Sequence, residues 1–159
     1  MRIIACGNRD RSDDGAGILA GERLRSLGID VDIMSGGTVA LVEAWSGVDE
    51  VIIIDAVVTG SRPGTVHIWD GATLKPDAFS QPSSHGFGVA EAIGISRALN
   101  CLPRSLLIFG IEGREFGFGS VLSREIVPAL ETAVNEIRML VRSSSSEEVS
   151  GIDQCVSRL

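Results

Sequence analysis

The stretch Glu50-Val51-Ile52-Ile53-Ile54-Asp55 (EVIIID) decides the fold class of this 159-residue chain. Four consecutive β-branched residues between two acids are typical of a strand that is buried on both faces, because an exposed face would alternate with polar residues. Strands of this kind lie at the centre of parallel sheets. We therefore expect the rest of the chain to be arranged around this strand.

Shorter apolar runs and helically spaced runs alternate on both sides of this stretch. The predicted strands are 1–6, 30–34, 50–55, 65–69 and 105–109, and the predicted helices are 14–27, 39–45, 86–99 and 122–141. This alternation predicts an α/β fold, a three-layer sandwich with a mainly parallel central sheet of about five strands. The link from Asp55 to the strand at 65–69 is too short for a helical crossover, so that strand should be an antiparallel edge strand.

One domain accounts for the whole pattern. It is expected over residues 1–142, because the serine-rich segment 143–159 has the low-complexity composition of a disordered tail. The longest apolar run, Val51 to Ile54, has the length of a strand, far below that of a membrane span, and the N-terminal run is too short for a signal peptide. We expect no membrane partner.

Charge and cysteine content narrow the function classes. The net charge is −7, the pI is near 4.8, and Lys75 is the single lysine, so a basic nucleic-acid-binding surface is excluded. Cys6, Cys101 and Cys155 are widely separated and form no CxxC motif. A disulfide framework is therefore not expected, and a reducing cytoplasm is the simplest location.

Three acids follow the first and third predicted strands. Asp13 and Asp14 come after strand one, and Asp55 closes strand three. Ligands of open parallel sheets bind beyond the carboxyl ends of the strands, at the point where the chain connections diverge. If strand two lies outside strand one and strand three pairs with its other side, Asp14 and Asp55 face each other across that point. Asp13, just before the predicted helix, is interpreted as its cap.

Histidine completes a candidate ligand set. His85 precedes a predicted helix in a polar loop, where the helix dipole disfavours its protonated form. His67 alternates with apolar residues on the edge strand and is assigned to the surface. Asp14, Asp55 and His85 supply two oxygens and one nitrogen, which suit zinc, nickel or manganese and leave coordination positions open.

Four blocks of sequence carry a family resemblance. They are GNRDRSDDGAG (7–17), VIIIDAVVTGSRPGTV (51–66), SSHGFGVAEAI (83–93) and FGIEGREFGFG (109–119). In this order and spacing they resemble the maturation endopeptidases of nickel–iron hydrogenases, over roughly residues 1–140. The resemblance implies an α/β protease that removes a short C-terminal extension from the hydrogenase large-subunit precursor after nickel has been inserted.

The resemblance also implies the site residues. The metal-recognising acid of the DDG block, the Asp of the third strand and the His of the SxH block fall on Asp14, Asp55 and His85. Nickel would come with the substrate, no organic cofactor is implied, and a monomer is expected. Ser35 stands where the family commonly has an aspartate, and Glu112 is a secondary candidate on the same rim.

Other functions compete with this one. A dinucleotide or phosphate binder is disfavoured, because the first loop lacks GxGxxG and its acids would repel phosphate. A receiver-like magnesium and phosphoryl-binding domain needs the same acids, but also a lysine after the last strand, where FGIEG supplies none. A metal-sensing maturation chaperone without protease activity would carry the same three side chains, and stays open.

Overall fold

The computed structural model describes residues 1–35, 37–74 and 86–156, which form a five-stranded sheet with helices on both faces. In chain order the elements are β1 (Arg2–Cys6), a 3₁₀ turn (Ser12–Gly15), α1 (Ala16–Ser26), β2 (Asp32–Met34), α2 (Thr38–Trp45), β3 (Glu50–Val57), β4 (Val66–Asp70), α3 (Gly86–Ala98), β5 (Ser105–Glu112) and α4 (Ile126–Val156). No helix within these ranges is long and apolar enough to cross a membrane.

The EVIIID stretch lies at the centre of the sheet, as its composition predicts. The strand order is β2-β1-β3-β5-β4, so β3 has a parallel neighbour on each side. β4 pairs antiparallel with β5 at the edge of the sheet. The α/β fold class, the mainly parallel sheet and the antiparallel edge strand are therefore confirmed. The chain leaves β1 toward β2 on one side and reaches β3 on the other, which places the topological switch point between β1 and β3.

Each face of β3 contributes to a different half of the core. Ile52 and Ile54 pack with residues of α1 and α4, whereas Val51 and Ile53 pack with residues of α2 and α3. Successive side chains of a strand point to opposite faces, so four consecutive apolar residues supply both halves. This double burial explains why the stretch shows no polar alternation.

Helix α1 approaches the sheet unusually closely at its first turn. A Cβ atom on Gly17 would lie 2.2 Å from the carbonyl oxygen of Cys6 and 2.6 Å from that of Ile54. One turn later, a Cβ atom on Gly21 would lie 2.5 Å from the Cβ of Ala5. The start of α1 therefore rests directly on the carboxyl ends of β1 and β3, and only glycine permits this contact.

Several element boundaries differ from the predicted ones, and two of them concern the acids. The first acids lie in the 3₁₀ turn, since α1 begins only at Ala16. Strand β3 continues past Asp55 to Val57, because β5 continues beside it and pairs Val57 with Glu112. Asp55 therefore lies inside the strand and does not close it.

The C-terminal helix α4 begins at Ile126 and continues to Val156, so it extends past residue 142, after which the sequence predicts a disordered tail. Residues 129–150 contain neither proline nor glycine, and the hydroxyls of Ser143 and Ser144 donate to the carbonyls of Met139 and Leu140, so nothing there interrupts a helix. The boundary between a domain and a tail at residue 142 stays a prediction.

Gly17→Ala should lower the free energy of unfolding by about 1–3 kcal/mol, since the added methyl group overlaps two backbone oxygens that cannot move independently. Gly94→Ala in α3 is the matched control. Its Cβ would meet nothing within 4 Å, and alanine should raise stability by about 0.5–1 kcal/mol there. Urea unfolding of both variants measures the difference. Equal effects of the two substitutions would contradict the close packing of α1.

Candidate functional site

The switch point brings two predicted site residues together. Asp14 lies in the 3₁₀ turn that follows β1, and Asp55 lies on β3 one residue beyond its last pairing with β1, Ala5 with Ile54. Both side chains are buried, with 0% and 1% of their surface exposed. Gly7 allows the intervening loop to fold back, because a Cβ there would lie 2.1 Å from the Asp14 carbonyl oxygen. The predicted proximity of the two acids is thus present.

Asp55 is held in an environment that disfavours its charge. Burial, followed by the negative charge of Asp14, raises the pKa of Asp55 to about 8, although the Ala56 amide lowers it somewhat. Its Oδ1 accepts a hydrogen bond from that amide at 2.9 Å. Its Oδ2 is buried and has no hydrogen-bond partner among the residues that the structure describes. A bound cation would supply the interaction that this carboxylate oxygen otherwise lacks.

Cys6 lies at the end of β1 and is buried, as expected for a structural thiol. Burial, together with the nearby charge of Asp55, raises the pKa of the Cys6 thiol well above its usual value. The thiol is therefore kept neutral, which opposes both nucleophilic attack and metal ligation. Cys6 supplies apolar surface beneath the acid pair.

The pKa of Asp55 predicts a particular pH dependence of stability. In the unfolded chain this carboxyl titrates near 3.8, so the folded state holds an extra proton between about pH 4 and 8 and stability falls as pH rises through that range. Asp55→Asn removes the titration. At pH 8 the variant should be more stable than the unchanged protein, by on the order of a few kcal/mol, and the gain should shrink toward pH 4.

Urea unfolding at pH 5 and pH 8 measures this gain. Asp30→Asn, which removes a charge from an exposed position, is the control for the change in net charge. A gain from Asp55→Asn that stays the same at both pH values would contradict the account of Asp55.

Asp13 has a different role from the predicted helix cap. Its side chain, fully buried, reaches residues far along the chain. Oδ2 accepts hydrogen bonds from the backbone amides of Arg114 (2.8 Å) and Glu115 (2.9 Å) and from the hydroxyl of Ser123 (2.8 Å), and Oδ1 accepts one from the Ser123 amide (2.7 Å). Burial alone would raise the pKa of Asp13, but these bonds outweigh it and lower the pKa.

The partners of Asp13 belong to one segment, residues 113–123, which we call the rim loop. The backbone of residues 10–13 also pairs with it: Ser12 N donates to the Gly119 carbonyl, and Asp13 N donates to the Glu115 carbonyl. The Arg11 guanidinium donates to the Phe116 carbonyl at 3.0 and 3.2 Å. The turn that carries Asp14 is thereby fastened to the connection between β5 and α4.

Asp13→Asn should lower the free energy of unfolding at pH 7 by about 2–4 kcal/mol, because an amide NH₂ would face at least one of the four donors that the carboxylate now accepts. The pKa of Asp13 is lowered in the fold, so its stabilisation is present above about pH 4 and is lost on further acidification.

Chemical unfolding at pH 7 and pH 3 measures both effects of Asp13→Asn. Asp10→Asn, an exposed acid of the same loop, should change stability little at either pH. If the two variants were equally stable, the hydrogen bonds of Asp13 would not be holding the rim loop.

Glu112 is a buried acid that holds a second loop. Its Oε1 accepts hydrogen bonds from the amides of Thr59 and Gly60 at 2.8 and 3.0 Å, and its Oε2 accepts one from the Thr59 hydroxyl at 2.8 Å. His67 Nε2 lies 3.3 Å from Oε2, and the His67 ring stacks on Trp69. His67 is therefore partly buried and not simply a surface residue as predicted, because its side chain, 20% exposed, contacts a carboxylate and an indole.

The chain is similar to proteins of one known family. The HycI family model, described as "Hydrogenase maturation protease", matches residues 21–139 of the chain. The chain belongs to the hydrogenase maturation protease family. Members of this family are hydrolases that act in hydrogenase maturation, so the predicted family is confirmed.

Individual relatives support the family assignment over most of the chain. The hydrogenase expression/formation protein HoxM of Azotobacter vinelandii is 31% identical over 140 residues, covering 83% of this chain and 67% of the relative. The hydrogenase maturating endopeptidase HybD from E. coli has a TM-score of 0.75 at 26% identity, covering 91% and 94% of the two chains. The HybD protease from Thermococcus kodakarensis has a TM-score of 0.70 at 28% identity, covering 88% and 99%.

The strand order of the sheet also distinguishes this chain from the receiver-like alternative. Its strand order is β2-β1-β3-β5-β4 with an antiparallel β4, whereas flavodoxin-like receivers have the order 2-1-3-4-5. The shared feature is the switch point between the first and third strands. An acid pair at that point therefore occurs in both folds, so in the sequence only the missing lysine after the last strand argued against a receiver.

His85, the third predicted ligand, lies outside the described residues, so its role stays a prediction. Helix α3 begins at the next residue, and its second turn contacts the start of α2, where the Thr38 hydroxyl donates to Glu91 Oε2 at 2.8 Å. Since α2 begins at the carboxyl end of β2, the start of α3 lies on the same rim as Asp14 and Asp55. Within the described ranges, no group of three or more His, Cys, Asp or Glu residues could hold a metal.

Proposed function

We propose that this chain is an endopeptidase that removes a short C-terminal extension from a nickel-loaded hydrogenase large-subunit precursor. Family membership supports a protease of hydrogenase maturation. The observation that carries the finer proposal is the buried acid pair at the switch point, in which Asp55 Oδ2 has no hydrogen-bond partner among the described residues. This arrangement suits a divalent ion that arrives with the substrate.

The acid pair accounts for recognition of the loaded precursor. Without an ion, Asp14 and Asp55 disfavour each other's charge, and the raised pKa of Asp55 keeps it largely protonated near neutral pH. An ion presented by the precursor would favour both charged forms and release that proton. Productive docking is thereby linked to the presence of nickel, since a metal-free precursor would meet a neutral Asp55.

The ligand set that we propose is Asp14, Asp55 and His85. Two carboxylate oxygens and one imidazole nitrogen suit a borderline divalent ion such as nickel, while cysteine thiolates of the precursor would hold its other side. When bound there, the ion would supply Lewis-acid chemistry for peptide-bond hydrolysis by polarising a carbonyl or acidifying a water. The residues of this chain would orient the loaded segment across the rim.

Replacement of each proposed ligand tests the function. Asp14→Asn, Asp55→Asn and His85→Ala should each lower the rate of precursor cleavage by at least about 100-fold, because each removes an interaction with the ion. The exposed-charge variant Asp30→Asn should cleave normally. The measurement is mass spectrometry of the precursor C-terminus after incubation with each variant.

The metal content of the precursor supplies the second arm of the experiment. A nickel-loaded precursor should lose a discrete C-terminal peptide, and the nickel-free precursor should keep its mass. Binding of the loaded precursor without any loss of mass would favour a metal-sensing maturation chaperone. Normal cleavage by two of the three ligand variants would contradict the proposed ligand set.

A further inference from the structure

We infer that the rim loop is a docking element for the precursor polypeptide, with Phe118 as its apolar anchor and Asp13 as the residue that positions it. This inference rests on the proposed function, because the occupant to which it commits is the polypeptide of the hydrogenase precursor beside the loaded metal.

The rim loop presents apolar side chains to solvent. Phe118 is 96% exposed and Val121 is 80% exposed, which makes them the two most exposed large apolar residues in the described part of the chain. A single exposed apolar residue is ordinary on a protein surface. Here, however, two of them occur within four residues on one loop of the rim that carries the acid pair.

The backbone on both sides of Phe118 is held in place. Before it, the Phe116 carbonyl accepts two hydrogen bonds from the Arg11 guanidinium. After it, Gly119 pairs in both directions, donating to the Asp10 carbonyl and accepting from the Ser12 amide. The backbone that carries Phe118 is therefore held on both sides, while the ring itself is exposed to solvent.

Asp13 holds both ends of the rim loop through hydrogen bonds from its buried side. Its carboxylate accepts hydrogen bonds at Arg114 and Glu115, before Phe118, and at Ser123, after it. Gly113 permits the close approach, since a Cβ there would lie 3.2 Å from the Asp13 Cβ and 2.4 Å from the Phe116 ring. A buried carboxylate with four donors is thus committed to a loop whose outermost side chain is an exposed phenyl ring.

The loop is continuous with the proposed site through the 3₁₀ turn. Asp14, a proposed ligand, and Asp13, which holds the loop, are consecutive residues of that turn. A polypeptide that brings a metal to Asp14 and Asp55 therefore has the rim loop beside it. The Arg11 guanidinium, 6.0 Å from the centroid of the Phe118 ring, adds a polar group next to the apolar one.

The physical gain from such a loop is preorganisation. An aromatic residue on a backbone that is already ordered loses little backbone conformational entropy on association, and aromatic residues dominate the energetics of protein interfaces. Phe118 would bury its ring against an apolar side chain of the precursor near the cleaved segment. The contact would be equal in the ground state and the transition state, so it should affect KM and not kcat.

Substitution of Phe118 tests the inference. Phe118→Ala should raise the KM for a nickel-loaded large-subunit precursor about ten-fold, with kcat unchanged, as expected for loss of an interface anchor. Phe118→Leu should recover most of the affinity. Leu99→Ala is the matched control, because Leu99 is 65% exposed but lies just beyond the far end of α3, away from the rim. It should leave KM unchanged.

The test separates docking from cleavage. The affinity of the same precursor is measured by surface immobilisation for Asp55→Asn and for Asp55→Asn combined with Phe118→Ala, so that no cleavage interferes. Weaker binding of the double variant supports docking even if the unchanged chain cleaves nothing, an outcome that would contradict only the proposed protease. Normal cleavage by Phe118→Ala with unchanged KM would overturn the docking inference and leave the protease proposal intact.

A purely structural role of the loop is also distinguishable. Phe118→Ala removes an exposed side chain, so its Tm should equal that of the unchanged chain. A rise in KM without a change in Tm supports direct contact with the precursor. A fall in kcat that accompanies a fall in Tm, with KM unchanged, would overturn it.

Discussion

The rim of this protein is organised by the burial of two consecutive carboxylates, Asp13 and Asp14, in a single 3₁₀ turn. Adjacent buried negative charges oppose one another, and each must be compensated separately. The turn sends them into different surroundings. Asp13 meets four hydrogen-bond donors of the rim loop, and Asp14 shares the switch point with Asp55. The close contact of Gly17 with β1 and β3 makes this placement possible.

The two surroundings have opposite consequences for stability. The donors around Asp13 favour its charged form and fasten a loop to the domain. The environment of Asp55 disfavours its charged form and costs stability as the pH rises toward 8. Such a cost is common where a fold keeps a reactive or ligand-binding group unsatisfied. It is consistent with our proposal that the remaining interaction of the Asp55 carboxylate forms with an ion brought by the substrate.

The sequence alone predicted the location of the acid pair, because general rules of chain geometry determine it. A run of four β-branched residues indicates a central strand, and the switch point of a parallel sheet follows from strand order. Asp14 and Asp55, 41 positions apart, could therefore be expected together. The predicted end of β3 was wrong by two residues, since the partner strand β5, and no local signal, extends it to Val57.

The role of Asp13 could not be predicted in the same way. Its partners are mostly backbone amides about 100 residues away. Nearly every residue has a backbone amide, so the sequence does not indicate which ones bind Asp13. Glu112 did carry a signal. It follows the buried run Ile108 to Ile111, so an unpaired charge there would be as costly as at Asp55. Applied to both strands, that reasoning would have predicted a buried, compensated Glu112 and a partner such as His67.

The hydrogen-bonded carboxylates of Asp13 and Glu112 link the loops of the rim to one another. Asp13 joins the loop after β1 to the rim loop. Glu112, the last residue of β5 and directly before the rim loop, binds the β3–β4 loop through Thr59 and Gly60. Each connection is a buried carboxylate bound to backbone amides, so it fixes main-chain position as well as side-chain orientation. Asp14 and Asp55 therefore lie within a frame of three mutually fastened loops. Because the frame is built by hydrogen bonds that need no ion, the acid pair is already in position for the ion that we propose arrives with the substrate.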